Sequence, residues 1–556
     1  MASTSEKAEG SASHPMATNK SSQQTSGTVR LFQSTKGDDH TDDLQFVLDS
    51  DGNRILLVPQ PSLVDPNDPL RWPAWKKWAT FLNGVAYTFM GSVTGPIMAA
   101  GMIPLSETFG ESLQRLTYAN GATLVCQGVG NIFWMPFVIK FGRRPVYLLS
   151  NILMGVACVW LGFASKATYT SFIIGRAFLG LFEAPIESIV PTTIADLFFL
   201  HERSSAISFY GLCVLGGNEL GPLFSALIIQ PLGMSWAFYI VAMFIALSCI
   251  TMFFFMPETK YNGTRPDAWP AAEGIENVSK NSEVLEVEDR GACSTASGAS
   301  AAPTLSRRTF LSELRPWQAM DPNISLRKVF LRPFILVSYP TVLWACLIYG
   351  LSLSWNVILG AVVAQLFAEP YGFDSRSQGL IFLSPFVGSL VGAWLCGPPS
   401  ESVANYLTRK NDGIREPEMR LPPIILSAFL TFTGALMAGL TYHYHTHWAG
   451  PIIGFGVLSA GAQMGVSQSM SYAMDCHEDL SVELMVTVAS LKSLIAWIWT
   501  WTINDWVDAN GMLTVFMAIA SINIVVQLTT IGMYMFGKRI RASIQEKDML
   551  TSCGLN

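Results

Sequence analysis

Charge is scarce in this sequence. Of its 556 residues only 14% are Asp, Glu, Lys or Arg, while 50% are hydrophobic; soluble domains carry roughly 25% charged residues. Mean hydropathy stays at +0.34 despite long polar tails and loops. This composition excludes an ordinary soluble fold. The signatures of nucleotide and redox enzymes are also missing, with no Gly-rich loop ending in Gly-Lys-Ser/Thr, no His-Glu-x-x-His and no dinucleotide fingerprint. We therefore expect no enzyme and no cofactor, and energy drawn from an ion gradient or from a solute's own gradient. The nine cysteines show no paired framework or zinc spacing, and most sit inside apolar runs (Cys126, Cys158, Cys213, Cys249, Cys346, Cys396). His443, His445 and His447 cluster, but no acid or cysteine accompanies them, so no metal site is expected. Basic residues are too dispersed for nucleic-acid binding. Residues 1–50 lack the apolar run of about 7–15 residues that marks a secretory signal, and their Ser, Thr, Gly, Lys and Asp content predicts disorder.

What the chain does have is long hydrophobic runs. Roughly twelve windows reach the ~20 apolar residues needed to span hydrocarbon, with centres from Phe89 to Ala520. They fall into two blocks of six, which predicts an all-α integral membrane protein with twelve transmembrane helices in two six-helix bundles. The expected organisation is a disordered tail (1–70), a first bundle (71–256), a central loop (257–332), a second bundle (333–536) and a short C-terminal tail (537–556). Lys and Arg fix the orientation. Arg71, Lys76 and Lys77 precede span 1; Lys140, Arg143 and Arg144 follow span 2; Arg409, Lys410, Arg415 and Arg420 follow span 8; Lys538, Arg539 and Arg541 follow span 12. The opposite loops offer only Arg115, Lys166 and Arg376. Both termini and the central loop are thus expected in the cytosol. The sequons at Asn19, Asn262, Asn277 and Asn323 should then carry no glycan.

Several motifs stand in order at the membrane edges. They are Asn67-Asp68-Pro69-Leu70-Arg71-Trp72-Pro73 before span 1, Gly142-Arg143-Arg144-Pro145 after span 2, and Arg176-Ala-Phe-Leu-Gly180 in span 4. Ala195-Asp196 through Arg203, Pro257-Glu258-Thr259-Lys260-Tyr261 and Gly413 through Leu421 complete the set. With these the chain resembles the major facilitator superfamily, and within it the twelve-span fungal drug:proton antiporters and their polyamine-transporter branch. The resemblance covers about 65–536 and implies the major facilitator fold, alternating access and a monomer. Gly216-Gly217-Asn218-Glu219-Leu220-Gly221-Pro222 resembles in part the span-5 antiporter signature, which in that family goes with export.

In the family, the loop after span 2 closes a cytosolic gate with the help of an acid just before its first basic residue. Here that position is Ile139, before Lys140, while the second-half copy keeps Glu401. Lys140, Arg143, Arg144 and Glu401 are the candidate gate, with a charge network expected to be one-sided. Anchoring of the basic residues to anionic lipid is the competing reading.

Span 4 carries Arg176, Gly180, Glu183 and Glu187 on one helical stripe. Charges at that depth persist when they face a cavity or each other. An Arg176 ion pair with Glu183 or Glu187 is one reading; a spare acid for a proton or a cation is the other, with Glu187 the first choice because it lies farther from Arg176. Span 5 adds Asn218 and Glu219. In the second half, Tyr349, Trp355 and Asn356 of span 7 and Gln468 and Tyr472 of span 10 are expected to wall the same cavity. Lys492 is read as snorkelling to the cytosolic edge, with pairing to Asp475 or to a substrate anion as the alternative. The whole reads as a proton-coupled exporter of a small organic molecule, a secondary metabolite or xenobiotic, in the plasma membrane. Uptake of a polyamine or other organic cation is the alternative, and a transporter-like solute sensor a third reading.

Overall fold

The computed structural model describes residues 27–30, 45–48, 54–62, 65–263, 265–266, 307–316, 324–477, 480–547 and 549–555. Most of the central loop, and the sequons at Asn19, Asn277 and Asn323, lie outside the described residues.

Helices dominate, as a chain crossing hydrocarbon requires, because each backbone N–H and C=O must be satisfied within its own segment. The first half contains α1 (Ala74–Thr94), α2 (Leu113–Phe141), α3 (Arg143–Ala164), α4 (Tyr169–Glu183), α5 (Pro185–Leu197), α6 (Leu200–Leu232) and α7 (Met234–Phe255). The second contains α8 (Pro340–Tyr371), α9 (Leu383–Cys396), α10 (Pro398–Lys410), α11 (Ile424–His443), α12 (Ala449–Cys476), α13 (Ser481–Asn510) and α14 (Met512–Lys547). Among the described residues, eleven helical stretches are long and apolar enough to cross a membrane. The fourth expected span is absent from that set because Pro185 breaks it into α4 and α5, neither of which is long enough alone. Pro185 removes one backbone donor and crowds the turn before it. Glu183 and Glu187 therefore sit on either side of a joint and not on one straight stripe.

The outward faces are apolar and exposed, with Phe163, Trp394, Ile425, Val525 and Met535 each more than 60% accessible. Such a surface fits lipid and not water. The interior is polar by comparison. Arg176, Glu183, Glu187, Glu219, Gln463 and Lys492 are all buried. The halves meet along two seams, α2 and α5 against α13, and α6 against α9 and α12.

Small residues set the close approaches. A Cβ at Gly180 would lie 2.1 Å from the Thr123 carbonyl oxygen, so α2 and α4 touch backbone to backbone there. Gly142 sits at φ 96°, which lets α2 turn into α3 without a residue to spare.

The tail expected to be disordered contains ordered pieces. Strand β1 (Val29–Arg30) pairs antiparallel with β4 (Ile414–Arg415) of the second half, and β2 (Phe46–Leu48) pairs with β3 (Arg54–Leu56). Leu56 and Val58 pack on Leu200 at the start of α6, whose N–H donates to the Val58 carbonyl at 2.8 Å. Short apolar stretches (Phe46-Val47-Leu48, Ile55-Leu56-Leu57-Val58) carry this docking, and the polar average of the tail conceals them.

Candidate functional site

At the end of the bundle that carries the basic loops, each half holds its own charge network. In the first, Arg143 forms an ion pair with Asp196 at the end of α5. The backbone N–H groups of Arg143 and Arg144 donate to the two Glu258 carboxylate oxygens, both at 3.0 Å. An acid at the first turn of α3 suits the positive end of the helix dipole. Arg144 donates to the carbonyls of Glu313 (2.5 Å) and Phe253 (2.7 Å). Lys140 is half-buried in the last turn of α2, and Lys260 Nζ donates to the Ile139 carbonyl at 2.7 Å. The one-sided network expected from Ile139 is thus corrected: Asp196 and Glu258 supply the acids that position 139 lacks.

In the second half, Arg415 lies 2.5 Å from Glu401 and Arg420 lies 3.7 Å from it; Arg420 Nε also meets Asp475 Oδ2 at 2.6 Å. Arg143–Asp196 and Arg420–Asp475 are corresponding pairs, each joining a loop arginine to an acid at the end of a half's fourth span. Three contacts then cross between the halves. Arg203 Nη1 approaches Asp475 Oδ1 at 3.9 Å, Arg420 Nη2 donates to the Leu200 carbonyl at 3.3 Å, and Gln463 Nε2 donates to the Ser208 carbonyl at 3.3 Å. This end is closed.

The opposite end is closed by lighter contacts. Asn504 Nδ2 donates to Gln114 Oε1 at 2.9 Å and to Thr117 Oγ1 at 3.2 Å, and Tyr118 stacks on Trp501 at 4.5 Å.

Between the two ends lies a cavity of about 70 Å³ lined by Gly95, Met98, Asn120, Asn218, Asn356 and Phe382, among others. Drug-sized ligands occupy about 300–1,000 Å³, so in this conformation the cavity is too small to hold one. No ionisable side chain lines it. The amides supply hydrogen bonds, and Met98 and Met102 supply adaptable apolar surface.

The ionisable groups stand behind this wall. Arg176 donates to the carbonyls of Thr94 (2.8 Å) and Gly95 (2.7 Å) and to Asn120 Oδ1 (2.7 Å), so it fixes two cavity residues from behind. Glu183 accepts from Thr94 Oγ1 at 2.6 Å. The expected Arg176 pair with Glu183 or Glu187 is not formed; the arginine and Glu183 meet through Thr94. Glu187 instead pairs with Lys492 of α13, so Lys492 neither snorkels nor reaches Asp475. Glu219 accepts from Ser389 Oγ at 2.8 Å, and Ser459, which also donates to Asn356 Oδ1 at 2.6 Å, lies beside it.

Four second-half residues, Gln468, Tyr472, Trp355 and Tyr349, do not line the cavity where spacing placed them. Gln468 lies at the basic-loop end beside Ser204 and Arg420. Tyr472 packs edge-on against Trp344 in the second-half core, and Trp355 is buried against Trp499. The glycine stripe of α12 explains the first two. A Cβ at Gly461 would strike Thr431 of α11 at 2.3 Å, and one at Gly465 would strike Ser352 of α8 at 2.5 Å. The stripe therefore packs within its own half and does not face the cavity. Tyr349 places its ring 5.4 Å from Lys492 Nζ. Asn120 and Gln127 were missed, although two amides seven residues apart in an apolar run give a legible signal.

A two-part helical membrane bundle, closed at both ends around a polar-edged cavity, defines a solute carrier. The chain belongs to the Major Facilitator Superfamily, whose family model matches residues 79–491. It is 24% identical over 534 residues to Protein HOL1 of Saccharomyces cerevisiae, covering 88% of this chain and 90% of that one. To the MFS-type transporter penM of Penicillium rubens it is 27% identical over 457 residues, covering 80% and 82%. Among solved structures, the proton:xylose symporter XylE superposes with a TM-score of 0.56 at 11% identity, covering 84% of this chain and 96% of that one. The human organic anion transporter MFSD10 gives 0.53 at 15%, covering 83% and 100%. Of these, penM, XylE and MFSD10 are transporters by name.

Proposed function

We propose that this carrier exports a small, largely uncharged organic molecule across the plasma membrane in exchange for protons, by alternating access of one monomer. In this reading α4 and α5 together make one span of twelve. The halves are 71–256 and 333–536, joined by the 257–332 loop, and the basic-loop end faces the cytosol with both termini. Arg143, Arg144 and Glu401, with Asp196, Glu258, Arg420 and Asp475, form the cytosolic gate, and Lys140 belongs to its rim.

The observation that carries the proposal is a charge count. Arg176 and Lys492 are two cations; Glu183, Glu187 and Glu219 are three buried acids. Adding one proton balances the set. Glu187 has Lys492, and Glu183 shares Thr94 with Arg176, whereas Glu219 faces only hydroxyls. Glu219 therefore replaces Glu187 as the proton site. It adjoins the cavity residue Asn218 in sequence and reaches Asn356 through Ser459, so proton and cargo share a wall. The neutral lining favours this reading over uptake of an organic cation.

A screen of deletion and overexpression strains against hydrophobic toxins and polyamines tests it. Overexpression should lower the cellular content of a toxin, and a protonophore should abolish that effect. Polyamine uptake that falls in the deletion strain, with toxin content unchanged, would refute export.

A further inference from the structure

We infer that Glu187 and Lys492 form an inner gate, the floor that separates the cavity from the cytosolic network. Glu187 belongs to the first half and Lys492 to the second, and their side chains are 6% and 1% exposed. At about 1.5 Å per residue, Lys492 lies roughly 16 Å from the basic end of α13 and roughly 27 Å from the other. Glu187 lies roughly 15 Å from the basic end of α5 by the same rise. The pair is thus level across the seam and set below the cavity.

Its surroundings hold it there. Tyr349 of α8 presents its ring to the ammonium, and the Tyr210 hydroxyl of α6 donates to the Glu187 carbonyl at 3.4 Å. One residue along, Ser493 Oγ donates to Gln127 Oε1 of α2 at 3.4 Å, a second crossing at the same level. The other charged groups nearby, Glu183 and Arg176 of α4, both turn toward Thr94. Among the described residues, Glu187–Lys492 is the one ion pair joining the halves at this depth, and Arg203–Asp475 lies at the basic end.

Opening toward the cytosol must draw α5 and α13 apart. Two ions separated at membrane depth are costly, so the floor parts only when water, a proton or a polar group of the cargo replaces one partner. The cytosolic network alone would leave this second barrier in place. Lys492 is thus a positioning residue for the transport cycle. The inference rests on alternating access but not on which acid carries the proton.

The test uses a cysteine reporter at Ala361, which lines the cavity, in full-length protein freed of its nine native cysteines. A membrane-impermeant maleimide is applied to the basic-loop face of everted vesicles. Glu187→Gln with Lys492→Met should label about tenfold faster than the parent, the effect of shifting a two-state equilibrium by about 1.4 kcal/mol. The reversed pair, Glu187→Lys with Lys492→Glu, should return to the parental rate. Parental labelling in the neutral variant, or fast labelling in the reversed one, would overturn the gate. If the neutral variant does not reach the membrane, Glu187→Cys with Lys492→Cys, joined by a short bifunctional reagent, decides. Joining should stop labelling at a reporter placed in the same background, and continued labelling would overturn the inference. If the gate variants behave as expected while Glu219→Gln keeps full pH dependence, the inner gate stands and the proton assignment falls.

Discussion

Replacing Arg203 by Gln should open the basic-loop end of the bundle about tenfold more often. Arg203 and Asp475 lie 3.9 Å apart across the seam, with side chains 2% and 6% exposed. At an effective dielectric near 20, charges about 4 Å apart attract by about 4 kcal/mol before desolvation. Orphaning a buried charge costs about 3–5 kcal/mol, but Asp475 keeps Arg420 at 2.6 Å and is not orphaned. The net loss to the closed state is therefore about 1–2 kcal/mol, and about 1.4 kcal/mol is a tenfold shift in population. Spin labels at Ser205 on α6 and Val403 on α10, both exposed, report the separation of the halves by electron–electron resonance. A longer distance should grow at the expense of the short one. If Arg203→Gln and Asp475→Asn both leave the distribution unchanged, the charges do not hold this end shut.

Other outcomes follow from the same contacts. Gly180→Val should cost at least about 1–3 kcal/mol, read as a lower Tm, because its Cβ meets backbone and not a mobile side-chain tip. Arg143→Ala with Arg144→Ala should abolish transport while much of the protein reaches the membrane, as shown by surface quantification. His477, between α12 and α13, is pushed down from 6.5 to about 4 by burial, with Arg541 adding to the effect. The unfolded chain then takes up a proton that the fold refuses, so stability falls by up to about 3 kcal/mol as pH drops from 6.5 to 4. His477→Gln should flatten that part of a Tm-against-pH curve.

Spacing and composition carried the fold because hydrocarbon leaves helices few alternatives, and the motifs at the membrane edges carried the family. The site was legible only in part. Asn218 and Asn356 line the cavity as a polar residue in an apolar span suggests, yet Gln468 and Tyr472 share that signature and lie elsewhere. Periodicity gives a face of a helix but not the neighbour it meets; on α12 the glycines made that face a packing surface. The partner of Lys492 was hidden because Glu187 lies 305 residues away, in the other half. The joint at Pro185 altered the span-4 stripe, and the proline itself was in plain view.

Proton exchange driving export is tested most directly in everted vesicles carrying an acid interior and a pH-sensitive dye. The probe is a toxin whose cellular content falls on overexpression. Its addition should discharge the proton gradient in vesicles with the native chain, and Glu219→Gln should remove that discharge while the vesicles still exchange labelled toxin for unlabelled. Discharge of equal size with Glu219→Gln, or toxin accumulation that survives collapse of the gradient, would contradict the account.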